Sequence, residues 1–201
     1  MEKDFYAHTS CIILSAGSSA RMGMNKALLK IDDNKTFIQK ITETYLLARI
    51  EQIIVVVNAG LYNLIKKSKS DFSEKMILVI NDKPELGRFY SLQTGLNRVK
   101  PSNHCFFQNI DNPFTSEELL KELIIHKDEA DVIIPTFQKK SGHPVLMSPL
   151  VTAEILNSKD FDVRIDRFLK IFKVMKVETT YYNILANINS PEEYLAAFIK
   201  L

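Results

Sequence analysis

Short runs of apolar residues alternate along the chain with longer stretches whose apolar positions recur every three or four residues. The runs are CIIL (11–14), IIVVV (53–57), MILVI (76–80), HCFFQ (104–108), DVIIP (131–135), HPVLM (143–147) and KVMKV (173–177). Each has the length of a buried strand, and the segments between most of them run about 10–15 residues with helical spacing, the pattern of a parallel sheet covered by crossover helices. Helix starts are marked by their chemistry. Thr115 with Glu118 three residues on predicts a capping box, and Ser190 precedes Pro191, Glu192 and Glu193. Helices are predicted over 36–48, 88–99, 116–127, 149–157 and 191–200, with a further one over 164–172. DVIIP and HPVLM are separated only by TFQKKSG, too little for a crossover, so a hairpin and one antiparallel strand are expected.

The fold class predicted is α/β: a single doubly wound, Rossmann-like mixed sheet, mostly parallel, with helices on both faces. No internal repeat, low-complexity tract or linker divides the chain, so residues 1–201 read as one domain, long enough for a full core. Twenty-six Lys and Arg against 24 Asp and Glu give a formal charge of +2, which supplies no basic face and predicts no nucleic-acid partner. No stretch approaches the roughly 18 apolar residues of a membrane span, and the opening MEKDFYAHTS lacks a signal-peptide core, so no membrane association is expected. Cys11 and Cys105 lie in separate apolar runs without metal-site spacing. They read as buried strand thiols and fit a reducing, cytoplasmic location.

The most informative segment is LSAGSSARMGMNKALL, residues 14–29, directly after the first strand. In an open α/β sheet ligands bind beyond the carboxyl ends of the strands. Gly17, Ser18, Ser19 and Ala20 are small enough for backbone N–H groups to approach an anion, and Arg21 and Lys26 add positive charge. The segment is neither a P-loop, which needs Gly at 22 and Lys at 23, nor a dinucleotide fingerprint, since Ser stands at 19.

This segment resembles the L-A-A-G-x-S-x-R-M-G-x-x-K signature of the MobA-like nucleotidyltransferases, the group that contains the molybdopterin cytidylyltransferases and guanylyltransferases. Leu14, Ala16, Gly17, Ser19, Arg21, Met22, Gly23 and Lys26 match, and Ser15 departs. Further elements follow in the family's order: Gly87 to Leu92 with Gly95-Leu96 resembles G-x-x-x-S-L-x-x-G-L, Asp111-Asn112-Pro113 resembles D-x-P, Gly142 to Val145 resembles G-H-P-V, and Asn187 to Glu193 resembles D-I-D-T-P-E-D.

The resemblance implies a fold like that of the nucleotide-diphospho-sugar transferases and a Mg²⁺-dependent transfer of CMP from CTP to a phosphorylated acceptor with release of pyrophosphate. It implies Arg21, Lys26 and Asp111 as catalytic residues, and Leu14, Ser15, Ala16, Gly17, Ser18, Ser19, Arg21, Lys26, Asn81, Gly87 and Ser91 as the nucleotide site. Arg88 and His143 are the implied acceptor contacts. Asp111 and Asn187, with Asn189 as alternative, are the implied Mg²⁺ ligands. Because Asn187 and Asn189 stand where the family carries Asp, their oxygens bring no charge to the metal. CTP is preferred over GTP because Ala16 matches the L-A-A-G of cytidylyl relatives rather than L-A-G-G. The acceptor implied is of the molybdopterin type, although Ser158-Lys159-Asp160-Phe161-Asp162 replaces a G-D-x-G frequent in such enzymes. A guanylyltransferase, a cytidylyltransferase for a polyol or sugar phosphate, and a silent nucleotide-binding module remain as alternatives. A phosphate monoester acceptor, its second pKa about 6, is already an anion at pH 7, consistent with the lack of any nucleophile and base constellation around the four histidines.

Overall fold

A computed structural model describes residues 5–17, 19, 22–68 and 75–198. Eight strands form one sheet: β1 (Thr9–Ser15), β2 (Gln52–Val57), β3 (Met76–Ile80), β4 (His104–Asn109), β5 (Val132–Phe137), β6 (Lys140–Ser141), β7 (Val145–Met147) and β8 (Val174–Glu178). The order runs β3-β2-β1-β4-β7-β5, with β6 and β8 also paired to β5. Strands β1 to β4 pair in parallel, β8 pairs β5 in parallel, and β7 runs antiparallel to both β4 and β5. The mixed, mostly parallel sheet is the predicted one. Its central strands β1, β2 and β4 are buried on both faces, which is why β1 and β2 read as nearly unbroken apolar runs, whereas β3 and β8 are half-exposed.

Seven helices accompany it: α1 (Phe37–Leu47), α2 (Ala59–Lys67), α3 (Gly87–Leu96), α4 (Glu117–Ile124), α5 (Pro149–Asn157), α6 (Ile165–Phe168) and α7 (Pro191–Phe198). Alternation along the strands sorts them into two layers. Cys11, Ile13, Ile53, Val55 and Phe106 pack with α1, α2 and α4, while Ile12, Leu14, Ile54, Val56 and Phe107 pack with α3 and α5. Gly95 lets α3 lie against the sheet, because a Cβ there would meet Val56 Cγ2 at 2.8 Å and Ile12 Cγ2 at 3.0 Å.

Three predicted details change. The cap of α4 is Ser116, which accepts the Leu119 N–H, and not Thr115, whose hydroxyl donates instead to the buried Gln108 Oε1 at 2.8 Å. A buried acceptor outcompetes the local cap. The helix expected over 164–172 is a four-residue α6 followed by a 3-10 turn over Leu169–Ile171. The hairpin is tighter than the seven-residue spacing suggests: Gln138 (φ 49°) and Lys139 (φ 66°) make a two-residue turn into β6, the left-handed pair that matches strand twist.

Candidate active site

Strands β1 and β4 are parallel neighbours, with Leu14 opposite Asn109, so the segments that follow them leave the sheet side by side. Ile110 N–H donates to Leu14 O at 3.1 Å, which fixes Asp111 beside Ser15 and Ala16. The chain after β1 then turns twice through left-handed backbone, at Ser19 (φ 51°) and Gly23 (φ 69°), the second of which favours the glycine found there. Ser19 Oγ accepts the Lys26 N–H at 3.3 Å, and Asn25 caps the short 3-10 turn Lys26–Leu28 by accepting the Ala27 N–H. From β2, Asn58 caps α2 and its Nδ2 donates to the carbonyls of Ala16 and Gly17 at 3.4 and 3.3 Å. Ser18 and Arg21, both assigned to the nucleotide, lie outside the described residues, as does Ala20.

Lys26 and Asp111 are both hydrogen-bonded to the 187–189 segment. The Asp111 carboxyl is pushed up from its ordinary value by burial, against the opposing pull of the Lys26 and Arg88 cations, and Glu193 raises it further. Its Oδ1 is out of solvent and has no hydrogen-bond partner. The 187–189 segment meets the same place, since Ile188 N–H donates to Asp111 O at 2.8 Å. There Lys26 Nζ donates to Asn189 Oδ1 at 2.6 Å, and Asn187 Nδ2 is turned onto Leu185 O at 3.1 Å. The Asp111 turn rests on a buried network in which Gln108 Oε1 accepts from Tyr45 and Thr115 and Gln108 Nε2 donates to Asn112 O.

Other residues of the predicted set sit differently. Leu14, Ser15 and Ala16 are buried, and Ser15 Oγ is unpartnered. Asn81 and Ser91 bond to each other at 2.8 Å, Asn81 Oδ1 also accepts the Lys83 N–H, and Ser91 donates to Gly87 O, so both side chains tie the end of β3 to α3. Gly87, at φ 83°, opens α3 with exposed Arg88 next to it.

Arg88 and His143 line a cleft of about 1280 Å³ bounded by α3, the β6–β7 connection and the 161–172 segment. Phe107, Phe161 and Phe172 give it an aromatic wall, and its charged lining is mixed, with Lys170 and Lys176 beside Glu85, Asp162 and Asp166. Gly142 is required where the chain enters it, because a Cβ would stand 2.4 Å from Ile184 O. Burial and the Arg88 charge push the His143 imidazole down to about 4, against the Phe107 main chain. The ring is neutral at pH 7, and Asn109 Nδ2 donates to its Nε2 at 2.9 Å. Asn109 carries no sequence signal, since it pairs with a residue 34 positions away, whereas Asn58 is legible as a polar cap directly after an apolar run.

A family model described as the MobA-like NTP transferase domain matches residues 11–176. The chain is 28% identical to a probable molybdenum cofactor guanylyltransferase of Natranaerobius thermophilus, over 96% of this chain and 90% of that protein. It is 27% identical to a probable molybdenum cofactor guanylyltransferase of Clostridium perfringens strain SM101, over 92% and 93%. A crystal structure from Mycobacterium sp. strain JC1, a homologue of Mycobacterium tuberculosis rv0371c, superposes with a TM-score of 0.81 at 19% identity, covering 96% of both chains. Among the described residues no helix is long and apolar enough to cross a membrane.

Proposed function

We propose, from the premise that the chain belongs to the MobA-like NTP transferase family, that this nucleotidyltransferase joins GMP from GTP to a phosphorylated acceptor of the molybdopterin type. The observation that carries the reading is that Lys26 and Asp111, whose Oδ1 is unpartnered, are both bonded to the 187–189 segment at the shared carboxyl end of β1 and β4. A phosphate oxygen of the acceptor attacks the α-phosphorus, the bond to the bridging oxygen breaks, and pyrophosphate leaves in line. The chain's part is placement and charge. Lys26 faces the triphosphate, and Arg88, which lines the cleft, brings its charge to bear on both Asp111 and His143. The cleft, with its aromatic wall and cations, suits a flat heterocycle ending in a phosphate.

Mg²⁺ belongs to this proposal. A buried carboxylate oxygen without a partner fits a hard cation, so Asp111 would hold it with Asn187, and the ion would supply charge to neutralise the phosphates. Among the described residues no group of three or more His, Cys, Asp or Glu side chains comes together, so such an ion leans on triphosphate oxygens.

The names of the two curated relatives support guanine. A second reading, CTP, rests on Ala16. The residue is buried and packs into the α3 layer, where it can affect a base only through the shape of the loop, so it gives cytosine no direct contact. Pyrophosphate release measured for GTP and CTP, each with and without molybdopterin, tests the proposal. Acceptor-dependent release from GTP is expected; release from CTP alone transfers the assignment to cytosine, and nucleotide binding without release from either contradicts the reaction.

A further inference from the structure

The matched family span ends at residue 176, yet a residue beyond it touches the centre of the site. Asn189 Oδ1 accepts from Lys26 Nζ at 2.6 Å across 163 positions of sequence. The oxygen is held by a local framework: Asn189 N–H donates to Glu193 Oε2 at 2.6 Å, the Ser190 N–H to the same oxygen at 3.1 Å, and Asn189 Nδ2 to Asn187 O at 3.1 Å. Glu193 N–H in turn donates to Ser190 Oγ, so α7 opens with a reciprocal capping box that fixes the residue before it. The helix is itself anchored, with Tyr194 donating to Lys30 O at 2.6 Å and Phe198 packed on Phe37 and Phe114. Lys26 is therefore tied to the approach to α7, and Lys30 to the helix itself.

An amide oxygen orients an ammonium without neutralising it, whereas a carboxylate at the same place would offset its charge. We propose that Asn189 is a positioning residue, which holds the Lys26 ammonium toward the nucleotide phosphates and is not a metal ligand. The inference rests on the nucleotidyltransferase reading of the site, and it separates the two asparagines that the sequence leaves equivalent. Asn189 serves the lysine, and Asn187 is left to stand with Asp111.

The test is a double-mutant cycle read by calorimetric titration of GTP, and in parallel CTP, in EDTA, where Lys26 acts without a metal. Asn189→Ala is expected to weaken nucleotide binding about 10-fold, the scale of one hydrogen bond to a charged group, and less than about 2-fold when Lys26→Ala is already present, because the two act as one unit. The Mg²⁺ midpoint of turnover is expected to stay unchanged in Asn189→Ala. Unweakened binding in Asn189→Ala, an equal loss in the Lys26→Ala background, or a shifted Mg²⁺ midpoint overturns the inference while the reading of the site stands. Wild-type protein that binds neither nucleotide overturns that reading and this inference with it.

Discussion

The two ends of the sheet are built on opposite rules. At the amino end polar groups serve one another, the buried Ser10 and Asn103 among them: Ser10 Oγ donates to Gln52 Oε1 at 3.1 Å, Asn103 Nδ2 donates to Ser10 Oγ and Glu51 Oε2 at 3.0 and 3.1 Å, and the exposed Lys100 pairs with Glu51. Among the described residues, Ser15 Oγ, Asp111 Oδ1 and His143 Nδ1 at the carboxyl end are buried without partners, against Asn103 Oδ1 alone at the other end. A buried polar atom without a partner costs stability, and a fold keeps such atoms where a ligand completes them. One end is built to hold the strands together and the other to receive something.

That contrast breaks first if the lysine of the open end proves dispensable. Lys26→Ala is expected to lower turnover about 10²–10³-fold, by analogy with the loss of one preorganised donor, while thermal melting moves little. Unchanged turnover with unchanged melting would make Lys26 an ordinary loop residue.

The next effect is on the pH dependence of stability. His143 is neutral in the fold down to about pH 4, while in the unfolded chain it takes a proton near 6.5. Its contribution is therefore complete above about pH 6.5 and is lost as pH falls through 4, an amplitude on the order of 3 kcal/mol. Denaturant midpoints at pH 7 and pH 4 should diverge more in wild type than in His143→Gln, and equal divergence would show that the ring is not held neutral.

A smaller effect sharpens the other side. Asn103→Ala breaks bonds to Ser10 and Glu51 and should cost about 2 kcal/mol of stability with kcat unchanged. A loss of kcat without a loss of stability would erase the distinction between the ends.

Where periodicity and burial coincide the fold is legible, and Pro149–Asn157 is bounded in the structure as the pattern predicts; MILVI is bounded as predicted too, but β3 is half-exposed and not the buried strand its apolar run suggests. Where they part, the reading falls short. Strand β1 begins at Thr9 and Ser10, polar residues that are fully buried because the amino-end network satisfies Ser10. Helix α2 buries only Leu61 and Ile65 and carries Gly60, too narrow a stripe to announce itself. In the site, the loop after β1 and the strand-end Asp111 are legible because they lie in contiguous motifs. The pairings Lys26–Asn189 and Asn109–His143 are created by the fold alone, so no local pattern contains them.

The carboxyl end of the sheet trades stability for a site, and Asp111→Asn tests this in one preparation. Burial outweighs the Lys26 and Arg88 cations and raises the Asp111 carboxyl, so its contribution to stability is present below the unfolded pKa near 3.9 and is lost as pH rises through the folded value. At pH 7 the buried carboxylate is a burden that the nearly isosteric amide removes. Melting temperature and pyrophosphate release should be measured together on wild type and variant. A raised melting temperature with turnover lower by about 10²-fold or more is expected, and a lowered melting temperature with near-wild-type turnover would show that Asp111 serves the fold and not the site.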